Sequence, residues 1–354
     1  MKPRVLIVGR SRYRLPLESN LRRKFDALRE ELDVRVLASG TGSDETFHLV
    51  APRPFDGPRF WAALPRRIRR EVRDFRPDAV LVQSPYEAFA AQLAGAGPVI
   101  LEIHGDWRTA TRLYGSAARR VLAPLVDRVA LTAVRRAHAV RTISSYTTEL
   151  VRQAGAEPAA MFPAFMDLDP FLGTVVPLPE QPAPLFVGVL ERYKDVDGLA
   201  AAWRLAAPRL PGVTLRIVGK GSRSQVVEGL VQSEWTPAVP NDEIPSMLDA
   251  ATTLVLPSRS EGLGRIVVEA LCRGRPVVAT RVGGITDLVH DGENGLLVPP
   301  RDPAALANAL VRVLTDRALA ERLAAAARPS VEPWIARPED YARRTRELVE
   351  QVIR

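Results

Sequence analysis

The stretch Ser258–Pro300, SRSEGLGRIVVEALCRGRPVVATRVGGITDLVHDGENGLLVPP, restricts what this chain can fold into more than any other. It follows an apolar, strand-like run, Thr253–Pro257, and enters a glycine turn at Gly262 and Gly264. Apolar residues then recur as in a helix, at Ile266, Val267, Val268, Ala270 and Leu271. Glycines at such a turn let successive backbone N–H groups and a helix N-terminus approach an anion. Glu261 stands before the turn, and Glu269 lies on the helix behind it. A β-branched run, Val277–Ala279, and a second glycine turn, Gly283 and Gly284, complete the unit. Strand, anion-binding turn, helix and strand in this order predict an α/β architecture.

A lone Gly-x-Gly would carry little, but the ordered set EGLGRIVVEA, GRPVVAT and GGITDLVHDGENGLLV is specific. It resembles the donor-binding half of the family 4 retaining glycosyltransferases, in which two glutamates are separated by seven residues, as Glu261 and Glu269 are here. The resemblance implies the GT-B fold: two Rossmann-like domains facing across a cleft, with a C-terminal helix returning to the N-terminal domain. The expected division is an acceptor-binding domain over 1–176, a nucleotide-sugar donor-binding domain over 177–335 and a returning helix over 336–354. The linker is expected where Pro177, Pro179, Pro182 and Pro184 crowd together.

The resemblance also implies the site residues. Glu269 would accept from the ribose hydroxyls, and Glu261 would contact the donor sugar at the reaction centre. The backbone of Gly262, Leu263, Gly264 and Arg265 would bind phosphate or sugar oxygens. After the strand ending at Gly188, relatives carry an Arg and then a Lys that neutralise the pyrophosphate. Val189 takes the Arg position here, Lys194 matches the Lys, and Arg192 is the nearby substitute. A cation pair suits the chemistry, because the leaving nucleoside diphosphate gains negative charge. The implied reaction moves a hexosyl group from a nucleoside diphosphate sugar to an acceptor hydroxyl with retention, with no cofactor and no metal. Other readings are a nucleotide-sugar-binding protein with a degenerate transferase fold, or an epimerase or phosphorylase of the same fold.

In the N-terminal half, apolar runs at Val5–Val8, Val34–Ala38, Ala79–Gln83, Val99–Ile103 and Ala139–Ile143 alternate with helical stretches, which predicts a parallel sheet. Ligands of such sheets bind beyond the carboxyl ends of the strands. Two turns are expected there. In Gly9–Leu17, Gly9 is the backbone candidate for phosphate or acceptor, and Arg10, Arg12 or Arg14 could hold an anionic acceptor. In the second turn, His104 stands where the family has its active-site histidine, and Asp106 could orient the imidazole or meet the acceptor. His48, His138 and His290 have no such setting. Ser144–Glu149 reads as a capped helix start with an acid in its first turn. Trp235–Ile244 is expected as a loop near the nucleobase.

Charge separates the halves. Residues 1–176 hold 27 Lys+Arg against 19 Asp+Glu, leaving 22 of each beyond. Seven arginines and one acid, Asp127, occupy 108–136. This basic amphipathic pattern fits an anionic membrane surface as a partner, or a solvated face over a core. No basic, aromatic-interleaved motif points to nucleic acid. The single cysteine, Cys272, allows no internal disulfide, and no apolar run reaches membrane-span length. The expected location is cytoplasmic, with peripheral attachment to the inner face of the membrane as its variant.

Overall fold

The computed structural model describes residues 1–51, 56–109 and 117–354. It separates into two units, Met1–Asp167 with Ala336–Arg354, and Leu168–Ile335.

The first unit is built on a parallel sheet of β1 (Arg4–Arg14), β2 (Asp33–Thr41), β3 (Phe47–Val50), β4 (Ala79–Val82), β5 (Val99–Ile103), β6 (Ala139–Thr142) and β7 (Ala160–Met161). The spatial order is β3-β2-β1-β4-β5-β6-β7. Helices α1 (Ser19–Glu31), α2 (Asp56–Phe75), α3 (Pro85–Leu93), α4 (Ala117–Arg136) and α5 (Ser145–Gln153) join the strands. Successive strand residues point to opposite faces. Leu6, Val8, Val80, Val82 and Leu101 therefore pack with Leu64 and Ile68 of α2 on one side. Val5, Ile7, Leu81 and Ile100 pack with Phe25 and Leu28 of α1 on the other. Both faces need apolar residues, which is why these strands read as unbroken hydrophobic runs. The C-terminal α12 (Pro338–Ile353) joins the second of these cores through Tyr341, Leu348 and Val349.

Several expectations are corrected here. Gly9–Leu17 is not a turn at its start: β1 continues to Arg14, pairing Arg12, Tyr13 and Arg14 with Ser39, Gly40 and Thr41 after a register shift. The extension of β2 supplies the partner that keeps β1 extended. Helix α5 is capped by a reciprocal Ser144–Thr147 box, and its first turn holds no acid, so Glu149 falls beyond it. Of the basic stretch 108–136, residues 110–116 lie outside the described residues. Residues 117–136 form the whole of α4, whose Ala130, Ala133 and Val134 are buried in the core. No helix among the described residues is long and apolar enough to cross a membrane.

The second unit carries a parallel sheet of β8 (Pro184–Val187), β9 (Leu215–Val218), β10 (Ser233–Thr236), β11 (Thr253–Leu256), β12 (Val277–Thr280) and β13 (Gly295–Val298). Its order is β10-β9-β8-β11-β12-β13. The helices are α6 (Val196–Ala206), α7 (Ile244–Asp249), α8 (Arg265–Cys272), α9 (Ile285–Leu288), α10 (Pro303–Thr315) and α11 (Arg317–Val331). Trp235 sits on the edge strand β10 rather than in a loop, and its indole N–H donates to Gly219 O at 2.8 Å.

The boundary between the units falls at Asp167/Leu168, ahead of the proline cluster. Carbonyls of residues 172–179 are held by arginines of the second unit. Arg328 donates to Leu172 O and Gly173 O, Arg275 to Val176 O and Pro177 O, and Arg317 to Leu178 O and Pro179 O. Pro177 and Pro179 lack an N–H for regular structure, and guanidinium forks satisfy the acceptors of the segment instead.

Candidate functional site

In the second sheet, β8 and β11 are neighbours at the point where the strand order reverses, and open parallel sheets form ligand crevices there. The loops leaving these two strands are tied together by three bonds. Arg259 N donates to Tyr193 O at 2.7 Å, Arg259 Nη2 to Asp195 Oδ1 at 2.5 Å, and Lys194 Nζ to Glu261 Oε1 at 2.6 Å. Ser258 Oγ donates to the same Glu261 oxygen at 2.7 Å, and Thr280 Oγ1 donates to Ser258 O at 2.5 Å. Lys194 and Glu261 are buried, with side chains 10% and 9% exposed. Arg192, in the same short 3-10 turn, is exposed. The two expected cations are thus unequal: Lys194 is locked on a carboxylate, and Arg192 reaches solvent.

The glycine turn is shaped by two left-handed residues. Gly264 has φ 91° at the N-cap of α8, where no side chain caps the helix. Gly283 has φ 52°, and a Cβ on it would lie 1.9 Å from Glu261 O. Gly284 N donates to that carbonyl at 3.1 Å, so the second glycine turn seats the first. Leu263 is buried beneath the turn, and Gly188 N donates to Val218 O at 2.9 Å, tying the end of β8 to β9. Glu269 is 6% exposed and accepts from Arg265 Nε at 2.5 Å. Burial raises its carboxyl pKa above the ordinary range, against the opposing pull of Arg265.

The remaining candidates belong to the first unit. His104 follows β5 directly, half-buried, with Nε2 3.3 Å from Glu102 Oε2. Asp106 does not orient it: its carboxylate binds Arg108, through the backbone N at 2.9 Å and Nε at 2.8 Å. Gly9 lies inside β1 against Gln83, and Arg10 stacks near Trp61, 5.7 Å from the ring centroid. His48 is accounted for by Glu71 at 2.8 Å, and His138 Nδ1 accepts from Val99 N at 3.1 Å.

Sequence reasoning missed Ser258, Asp195, Arg259, Glu102 and Arg141. The Ser258–Glu261 spacing has the form of a local Ser-x-x-Glu bond and was available as a signal. The others pair across loops or strands far apart in sequence.

Residues 20–169 match the family described as Glycosyltransferase Family 4, and residues 181–316 match Glycosyl transferases group 1. A 2-deoxystreptamine N-acetyl-D-glucosaminyltransferase of Streptomyces fradiae is 30% identical over 291 residues, covering 73% of this chain and 68% of that protein. The chain belongs to glycosyltransferase family 4. Among solved structures, sucrose-phosphate synthase of Thermosynechococcus elongatus superposes with a TM-score of 0.79 at 21% identity, over 99% of both chains. Anabaena HepE in complex with UDP and glucose superposes with a TM-score of 0.73 at 18% identity, over 98% of this chain and 100% of that one. The fold is therefore GT-B, with two Rossmann-like units, and the protein is a glycosyltransferase.

Proposed function

We propose that this glycosyltransferase moves a hexosyl group from a nucleoside diphosphate sugar to an acceptor hydroxyl, with retention at the anomeric carbon and without a metal ion. The observation that carries the reading is the buried Lys194 ammonium, held against Glu261 beside the uncapped N-terminus of α8. As the glycosidic bond breaks, negative charge grows on the leaving diphosphate. A desolvated cation and oriented N–H groups stabilise that charge without reorganisation. Lys194, aided by Arg192, takes the diphosphate. Glu261 contacts the sugar and Glu269 accepts from the ribose hydroxyls. In the first unit, His104 is the group assigned to the donor sugar.

HepE was solved with UDP, so uridine is the first base to test. The S. fradiae relative is named for 2-deoxystreptamine, which makes small polyhydroxylated amines the first acceptors. The test is a thermal-shift titration of UDP, GDP and ADP in EDTA. A ligand at a hundredfold excess over Kd stabilises the native state by about 2.7 kcal/mol. One nucleotide should raise Tm by several degrees, and Lys194→Ala should abolish the shift. A shift that requires added metal, or one that survives Lys194→Ala, sinks the assignment.

A further inference from the structure

Beneath His104 lies a buried ion pair that the donor chemistry does not use. Glu102 on β5 and Arg141 on β6 are register partners in the parallel sheet, and both side chains are almost completely buried. Arg141 Nη2 is 2.8 Å from Glu102 Oε1. The guanidinium is fixed further by Phe162 O at 3.3 Å and Pro163 O at 3.1 Å. Its plane lies over Phe162 at 4.4 Å and near Tyr341 of α12 at 5.6 Å. Such a pair is weak evidence of stabilisation, since apolar residues of similar volume commonly serve a core as well or better. What the pair does hold is the imidazole: Glu102 turns Oε1 to the charge of Arg141, a contact without hydrogen-bond geometry, and Oε2 to His104 Nε2.

We infer that Glu102, seated on Arg141, is the positioning residue for His104, taking its Nε2–H and leaving Nδ1 as the acceptor for a substrate hydroxyl. Which ring nitrogen carries the proton is set by the hydrogen bond the other end makes. A partner suited to this must stay ionised. Burial alone would raise the Glu102 carboxyl, but the charge of Arg141, then the bond and charge of His104 and the charge of Lys24, bring it down to about 2. Tyr13 and Tyr341 also face Glu102, and both phenols are pushed upward, chiefly by burial, so they remain neutral. Glu102 is therefore a fixed acceptor rather than a proton carrier. The inference rests on the proposed role of His104.

The test replaces the pair as a unit, Glu102→Leu with Arg141→Met, so that neither charge is orphaned. In the native protein, nitrogen-15 NMR should show a His104 Nε2–H resonance protected from solvent exchange, assigned by its loss in His104→Ala. The double variant should lose that protection. Should the double variant melt below the working temperature, Glu102→Gln with Arg141→Met supplies a neutral partner, and a weaker, faster-exchanging resonance is expected. This reading needs no turnover. A proton on Nδ1, or unchanged protection without Glu102, overturns the inference.

Hydrolysis of UDP-glucose, with water as acceptor, supplies the second reading. The double variant should lower kcat about tenfold with KM nearly unchanged, and the same change in a His104→Ala background should cost less than about twofold. Equal losses in both backgrounds mean a merely structural pair and overturn the inference. Native kcat in His104→Ala removes the role of His104 itself. The NMR result separates that failure from a failure of the pairing.

Discussion

Replacing Lys194 by Met tests the centre of the donor site most directly, because it removes the cation and little volume. The pair it breaks is short, 2.6 Å, and both side chains are nine-tenths buried. Removing one partner of a buried ion pair costs about 3–5 kcal/mol, because the other charge is left without compensation. Ser258 Oγ still donates to the Glu261 oxygen at 2.7 Å, so the lower end applies, about 3 kcal/mol. In a unit of this size each kcal/mol moves Tm by about 2–4 °C, so the fall should be about 6–12 °C. Glu261→Gln in the same chain removes the orphaned charge, and the double variant should recover most of that loss. Nucleotide affinity should not return, because the ammonium is still missing. Circular-dichroism melts of the three proteins, each with and without UDP, make the comparison. A single variant that melts like the native protein, or a double variant as unstable as the single one, refutes the buried-pair reasoning.

Two further perturbations follow from local geometry. Gly283→Ala forces a Cβ to within 1.9 Å of Glu261 O at φ 52°, with only backbone to give way. A loss of about 2–4 kcal/mol is expected, together with weakened nucleotide binding. Gly292→Ala, at φ 81° with nothing within 4 Å, is the control and should cost only about 1 kcal/mol. Equal melts for the two refute the packing of one glycine turn on the other. Glu87, 2% exposed, has its carboxyl pushed from 4.5 up to about 7, by burial first, with a backbone hydrogen bond and Arg10 opposing. The folded chain then keeps a proton that the unfolded chain releases, so this stability is present below pH 4.5 and lost as pH rises to about 7. The loss is on the order of 3 kcal/mol. Urea melts across that window should show the slope in the native protein and its absence in Glu87→Gln. A native profile no steeper than the variant's counts against a protonated Glu87.

How much was legible in the chain varies with the range of the interaction. The strand-turn-helix unit from Thr253 to Cys272 is local, and its glycines, apolar spacing and two glutamates carry their meaning within about a helix and a turn. The alternation of apolar runs and helical patterns likewise announced the parallel sheet of the N-terminal half, because a strand covered on both faces must be apolar on both. Short strands such as β3 and β7 carry too few residues for a period to show. The extension of β1 past Gly9 depends on a partner strand, β2, that begins 19 residues beyond its end.

What only the tertiary structure decided are the pairings between distant residues. Lys194 and Glu261 are 67 residues apart, and Glu102 meets Arg141 only because β5 and β6 are register neighbours. The proline cluster showed where regular structure stops. That it lies on the second unit is set by Arg275, Arg317 and Arg328, which nothing local distinguishes from solvated arginines. His104 was legible at a strand end, whereas its partner was not: Asp106 is nearer the turn, yet its carboxylate binds Arg108, and Glu102 points inward from the strand. Sequence by itself determined the backbone segments and the types of chemistry they could carry. Folding decided which charges meet, because a buried carboxyl must either be compensated by a cation the packing brings to it, as Glu261 is, or keep its proton, as Glu87 does.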